Sequence, residues 1–136
     1  MAKRQQPKRN PLILDSGAVI ALARGDQRAR AFLAQAITLQ AEIQIPVVVI
    51  AETLRGGPKD APIHRILKKT HRGPSMDAEL GQTAGHLLGR ARSSDTIDAL
   101  IVAQAVRSGG GHILTGDRGD LERLASGHPE VVIHPL

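Results

Sequence analysis

The sequence has no cysteine, no tryptophan and no tyrosine, and only one phenylalanine, Phe32. The missing cysteine excludes a disulfide framework, a thiolate metal centre and a cysteine nucleophile, and it agrees with a reducing, cytoplasmic setting. The scarcity of aromatic rings argues against the usual single-strand platform, on which bases stack one after another. Nucleic acid, if bound, is then expected to be held by Arg, Lys and acidic side chains through phosphates and sugars. Long apolar runs are also missing. The longest aliphatic stretch, around Ile45–Ala51, is far short of the ~20 residues a membrane span needs. No apolar core of a signal peptide follows the basic N-terminus. The expectation is a soluble, cytoplasmic protein with no membrane attachment.

What is present fits one domain. A chain of 136 residues supports a single core, and with 41% hydrophobic and 23% charged residues it has an ordinary interior and surface. The formal charge is +5, but Lys3, Arg4, Lys8 and Arg9 lie in a first decade that has no acid. Setting them aside leaves 14 basic residues against 13 acidic ones, so the excess belongs mainly to one end. We read residues 1–10 as a basic tail, solvated or phosphate-binding, and residues 11–136 as the folded domain.

Along that domain, short apolar runs alternate with helical patterns. Pro11–Leu14 reads as a buried strand that ends in Asp15, and a helix follows to about Arg24, stopped by Gly25. A second helix is expected over Gln27–Gln40, and a short strand over Glu42–Ile45. Pro46 then opens a helix over Val47–Arg55, with a longer β-branched strand as the competing assignment. Further helices are expected over residues 61–71, Ala78–Arg90, Thr96–Arg107 and Asp117–Ala125. Further strands are expected at Pro74–Met76, His112–Thr115 and Val131–Ile133. This order predicts an α/β fold with a central, mainly parallel sheet of about five short strands flanked by helices.

In an open parallel sheet, function gathers at the carboxyl ends of the strands. Asp15 closes the first strand, and Asp117 follows Leu114-Thr115-Gly116 at the end of another. Asp98 starts an otherwise apolar helix. Glu52 stands in the aliphatic run Val49-Ile50-Ala51, where a charge is costly unless it is paired or metal-bound. Each acid also has a plainer reading. Asp95 with Asp98, and Asp117 with Asp120, are spaced as helix caps. Glu52 with Arg55 is spaced as a surface ion pair. Glu42 precedes its strand and belongs at the opposite edge of the sheet.

The segments Leu12-Ile13-Leu14-Asp15-Ser16, Glu52-Thr53-Leu54-Arg55-Gly56, Asp98-Ala99-Leu100-Ile101-Val102-Ala103 and Ile113-Leu114-Thr115-Gly116-Asp117 come in an order that resembles the PIN-domain family. The resemblance is strongest to toxin ribonucleases of the VapC type and covers roughly residues 11–134. It implies a PIN-like fold and a divalent-metal-dependent endoribonuclease that cuts single-stranded regions of RNA with Mg²⁺ or Mn²⁺. In that reading Asp15, Asp98 and Asp117 hold the metal, and Glu52 completes the site or positions the attacking water. Ser16 and Thr115 support them, while Asp95 and Asp120 remain mainly caps, with a supporting role left open. The resemblance further implies a small cognate antitoxin of the VapB type and a homodimer.

Two other functions are compatible with parts of the sequence. One is a non-catalytic PIN-like domain that binds RNA or regulates. The other is an aspartate-nucleophile phosphatase built on Asp15, which would want a second Asp where Gly17 stands. Arg65, Lys68, Lys69 and Arg72 are spaced to line one helix face and, with Arg55, are candidates for RNA or partner contact; a solvated face is the alternative. The six histidines show no zinc-type spacing and read as incidental. Gly81, Gly85 and Gly89 leave one face of their helix smooth, for packing inside the domain or for a homodimer contact.

Overall fold

The computed structural model describes residues 10–70, 75–117 and 119–136. Most of the basic tail, Arg72 and Pro74 therefore lie outside the described residues. Among the described residues, four strands and seven helices follow one another. They are β1 (Leu12–Leu14), α1 (Ser16–Ala23), α2 (Gln27–Thr38), β2 (Ile43–Gln44), α3 (Val47–Thr53), α4 (Ala61–Leu67), α5 (Ala78–Ala91), α6 (Thr96–Arg107), β3 (Gly111–Thr115), α7 (Gly119–Leu124) and β4 (Val131–Pro135). A 3₁₀ turn, Pro58–Asp60, leads into α4.

The sheet runs β2-β1-β3-β4, and every pairing is parallel. Parallel strands are covered on both faces and carry continuous apolar sequence. That is why Leu12-Ile13-Leu14 and Ile113-Leu114 read as strands although they do not alternate with polar residues. Ile13, Leu14, Ile113 and Leu114 are fully buried, each contributing about 1.5–3 kcal/mol. Ala105 of α6 lies against Gly111 on one face of the sheet, and α1 and α2 lie toward the other.

Most differences from the sequence-based expectation are at element ends. The strand expected at Pro74–Met76 is not formed by Ser75 and Met76, so the described sheet has four strands rather than five. The β-branched run Val47–Ile50 is helical, begun by Pro46. Helix α4 ends at Leu67 instead of residue 71, so Arg65 is on the helix while Lys68 and Lys69 are in the turn that closes it. The basic stripe expected on one helix face is therefore cut short. Gly81, Gly85 and Gly89 are exposed, and a methyl group on any of them would meet nothing within 4 Å, which rules out packing inside the domain.

Candidate active site

The parallel sheet brings several chain segments to one edge. Asp15 follows β1 and caps α1: its backbone N–H donates to Leu114 O at 3.1 Å, and its Oδ1 accepts from Ala18 N–H at 2.8 Å. The same oxygen accepts from Gly116 N–H at 3.3 Å, across a hundred residues of sequence. Gly17 and Gly116 make this approach possible. A Cβ on Gly17 would lie 2.8 Å from Gly116 Cα, a separation that side chains do not tolerate. The β1–α1 and β3–α7 junctions thus meet backbone to backbone, and the acids of the two loops come together. This contact also answers the phosphatase reading, since the position where that chemistry wants a second Asp has no room for any side chain.

Thr115 is buried at the end of β3. Its hydroxyl accepts from Asp117 N–H at 2.9 Å and donates to Asp117 O at 2.6 Å, which folds the loop back on itself. Asp117 is exposed, and its Oδ1 accepts from Gly119 N–H at 3.0 Å, at the start of α7. Ser16 is half-buried and makes no side-chain hydrogen bond with another described residue.

Asp98 stands in the first turn of α6. Asp95 caps that helix, accepting from Asp98 N–H at 3.2 Å. A hydroxyl then ties this corner to α7. Ser93 Oγ donates to Asp120 Oδ2 at 2.7 Å and accepts from Asp95 N–H at 3.1 Å, while Arg123 holds the other Asp120 oxygen at 3.2 Å. Sequence reasoning did not single out Ser93, because its partner is 27 positions away.

The electrostatics show which acids share one environment. Burial pushes the Asp15 carboxyl above its ordinary range, and the Asp117 charge adds to that. The Thr115 hydroxyl and the N–H groups of Ala18 and Gly116 oppose it. Asp98 is pushed up to about 7 by its partial burial, by the neighbouring Asp95, and by the charges of Asp15 and Asp120. Asp15, Asp98 and Asp117, with Asp95 and Asp120 beside them, therefore form one negatively charged neighbourhood.

Glu52 is placed differently. It is half-buried on α3, which packs against α1, and it has no hydrogen bond or ion pair among the described residues. Arg55 does not pair with it; its guanidinium donates to the Ala51 and Leu54 carbonyls at 3.2 and 2.7 Å. Glu42 sits before β2, opposite the start of β1, at the far edge of the sheet from Asp15.

With this geometry in view, the family model described as the PIN domain matches residues 12–127. The chain belongs to the PIN-domain family. Comparison with curated protein sequences gives no match. Solved structures share the fold at low identity. VapBC2 from Rickettsia felis, bound to a DNA fragment from their promoter, aligns with a TM-score of 0.71 at 14% identity, covering 92% of this chain and 98% of that one. FitAcB from Neisseria gonorrhoeae aligns at 0.59 and 18% identity, covering 90% and 95%. FitAB bound to an IR36 DNA fragment aligns at 0.62 and 16%, covering 91% and 94%.

The acid edge of this PIN domain can be tested against a divalent ion from its own chemistry. The donors are carboxylates, hard oxygen ligands of the kind Mg²⁺ takes. Their mutual repulsion is the kind a cation relieves, as the elevated Asp98 shows. As they stand, however, no three His, Asp or Glu side chains among the described residues are grouped closely enough to hold an ion. Asp15, Asp95 and Asp117 are turned toward backbone N–H groups instead. The donor set fits, since each capping carboxylate meets the backbone through Oδ1 and has a second oxygen.

Proposed function

We propose that this PIN domain is a divalent-metal-dependent endoribonuclease that cuts single-stranded regions of RNA, and that it is the toxin of a VapC-type toxin–antitoxin pair. The observation that carries the reading is the Asp98 carboxyl, which its burial, together with the neighbouring Asp95 and the charges of Asp15 and Asp120, pushes up to about 7. A fold does not need four like charges at one edge. A site for a cation and a phosphodiester does.

Asp15, Asp98 and Asp117 would hold Mg²⁺ or Mn²⁺, directly or through water, and Glu52 would complete the site or orient the attacking water. When bound, the ion supplies Lewis acidity toward the phosphate. Thr115 fixes the loop that carries Asp117 and steadies Asp15. Ser93 keeps the start of α6 and the first turn of α7 at a fixed distance through Asp120. Arg55, Arg65, Lys68 and Lys69 are exposed and available to phosphates; Arg72, the fifth candidate, lies outside the described residues. A small cognate VapB-type antitoxin, a homodimer and a cytoplasmic setting complete the reading. It is supported by the sequence resemblance and by the fold shared with chains of the VapBC2 and FitAB complexes. No helix is long and apolar enough to cross a membrane among the described residues.

The deciding experiment is cleavage of transfer and ribosomal RNA with Mg²⁺ or Mn²⁺, with an EDTA control. Asp15→Asn keeps an oxygen for Ala18 N–H and should fold normally, while cleavage falls roughly hundredfold or more. A fully active Asp15→Asn protein, or cleavage indifferent to EDTA, would end the proposal. A second reading, a non-catalytic PIN-like RNA-binding domain, is favoured by one observation: Asp15, Asp95 and Asp117 are engaged as caps, and no three acids or histidines among the described residues are grouped for an ion. RNA retained intact in saturating Mn²⁺ would establish it.

A further inference from the structure

Two of the six histidines are not incidental. Parallel pairing sets His112 of β3 opposite Val132 and Leu114 opposite His134, so both imidazoles project from the same face of the sheet. Their Nδ1 and Nε2 atoms are 2.8 Å apart, and the rings are stacked, with centroids at 5.1 Å and planes at 28°. Phe32 of α2 extends the row, its ring 5.2 Å from His134 and tilted by 56°. Three of the few flat rings in the chain thus come together, although 102 residues separate the first from the last.

This row lines a cavity of about 410 Å³ between α2 and the sheet, a size in the ordinary range for small-ligand sites. Leu39 adds apolar surface, and the side-chain amides of Asn10 and Gln35 lie at its wall. Neither amide is hydrogen-bonded to another described residue. Among the described residues, no Lys, Arg, Asp or Glu lines the cavity. An anion would therefore find no permanent positive charge on these residues, and an aliphatic chain would leave the two amides without partners. An uncharged planar nitrogen heterocycle suits the whole wall, since its face stacks on the rings and its edge takes one donor and one acceptor from each amide. His112 is three residues upstream of Thr115 on β3, roughly 10 Å along the strand from the acid edge.

We infer that this cavity is a base subsite, taking the nucleobase of an unpaired nucleotide of the RNA whose backbone lies at the acids. Its link to RNA rests on the ribonuclease reading; its preference for a flat heterocycle does not. The test is an NMR titration of the full chain with adenosine, a probe without phosphate. Saturable shifts of the Phe32, His112 and His134 ring signals are expected, with a dissociation constant on the order of millimolar and with the Gly116 and Asp117 amides unmoved. Cyclohexanol, apolar but not flat, should leave the rings unchanged. His112→Ala and Gln35→Ala, both at exposed positions, should each weaken adenosine binding. In oligoribonucleotide cleavage, His112→Ala should raise KM roughly fivefold or more with kcat unchanged. The subsite is wrong if adenosine moves no ring signal up to about 10 mM, if cyclohexanol does as well, or if both variants bind adenosine like the parent. If no form of the protein cleaves RNA, the ribonuclease reading fails alone, and the adenosine titration still decides the cavity.

Discussion

Two sites beside one sheet are opposites. At the carboxyl ends of β1 and β3, Asp15 and Asp98 are both pushed above their ordinary range by burial, with the Asp117 charge adding to it at Asp15 and Asp95, Asp15 and Asp120 adding to it at Asp98. Against the sheet face that α2 covers, His134 is held below its ordinary value by burial, with the neighbouring His112 adding to the effect. One site gains from taking up a proton or a cation, and the other from staying neutral. The helix ends that meet each site differ. Helices α1 and α6 begin at the acid edge, so free N–H groups and positive helix ends face the carboxylates. Helix α2 ends near the ring cavity, where it offers carbonyls and apolar side chains. The same fold therefore gathers acids at the strand ends and sets uncharged side chains around a cavity against the sheet face that α2 covers.

The most damaging way to break this arrangement is at Gly17. An alanine there drives its methyl group to 2.8 Å from Gly116 Cα, where only backbone can yield. We expect a loss of about 1–3 kcal/mol from overpacking, together with a large fall in cleavage, because Asp15 and Asp117 sit on the two loops that must separate. Adenosine shifts at the rings should survive. Gly85→Ala is the matched control with opposite sign. A methyl group there meets nothing within 4 Å, so the better helix former should add about 0.5–1 kcal/mol. Thermal unfolding of both variants, read beside RNA cleavage, checks the pair. A Gly17→Ala protein as stable and active as the parent would mean that the backbone contact does not hold the acids.

The glycines also show where sequence reading stops. Helix α6 was legible to the residue over Thr96–Arg107, because its cap, its apolar body and the glycines after it are all local signals. Asp15 and Asp117 were legible as edge residues, because each ends an apolar run. What could not be read were contacts set by register and by crossing segments. The Gly17–Gly116 approach, the Ser93–Asp120 bond and the His112–His134 pair each join distant positions with no local signature. The basic stripe failed for the converse reason: its spacing was helical, but the helix ended at Leu67, before the stripe did. Counting aromatic residues likewise missed a ring row two-thirds of which is histidine.

Asp98→Asn sharpens the comparison at the acid end. The folded carboxyl lies at about 7, against 3.8 without the fold. An acid with a raised folded pKa binds its proton more tightly in the native state. Its stabilising effect is complete below pH 3.8 and is lost as pH rises through 7. In EDTA the parent should therefore lose stability across that interval, and Asp98→Asn should lose less. Because Asp98 is only half-buried, the gain at pH 8 is discounted for solvent screening to about 1 kcal/mol, or about 3–5 °C in Tm. Mn²⁺ should raise the parent's Tm at pH 8 more than the variant's. Parallel Tm–pH curves for the two proteins would show that Asp98 is not under the strain assigned to it.

The smallest effect belongs to the ring end, and its sign is reversed. His134 has a folded pKa below 6.5, so the native state resists a proton that the unfolded chain accepts. Stability is complete above pH 6.5 and declines as pH falls from there through the lowered folded value. In the parent this decline is masked, because Asp98 gains stability over much of the same interval as pH falls. The measurement therefore belongs in the Asp98→Asn background, comparing Tm at pH 7.5 and pH 5 with and without His134→Gln. The two sites share no hydrogen-bond partner, so their effects should add to within about 0.5 kcal/mol. Removing His134 should flatten the acid-side decline and leave the alkaline side untouched. If the decline persists unchanged, the proton is being refused elsewhere, and the ring end is not the neutral counterpart of the acid edge.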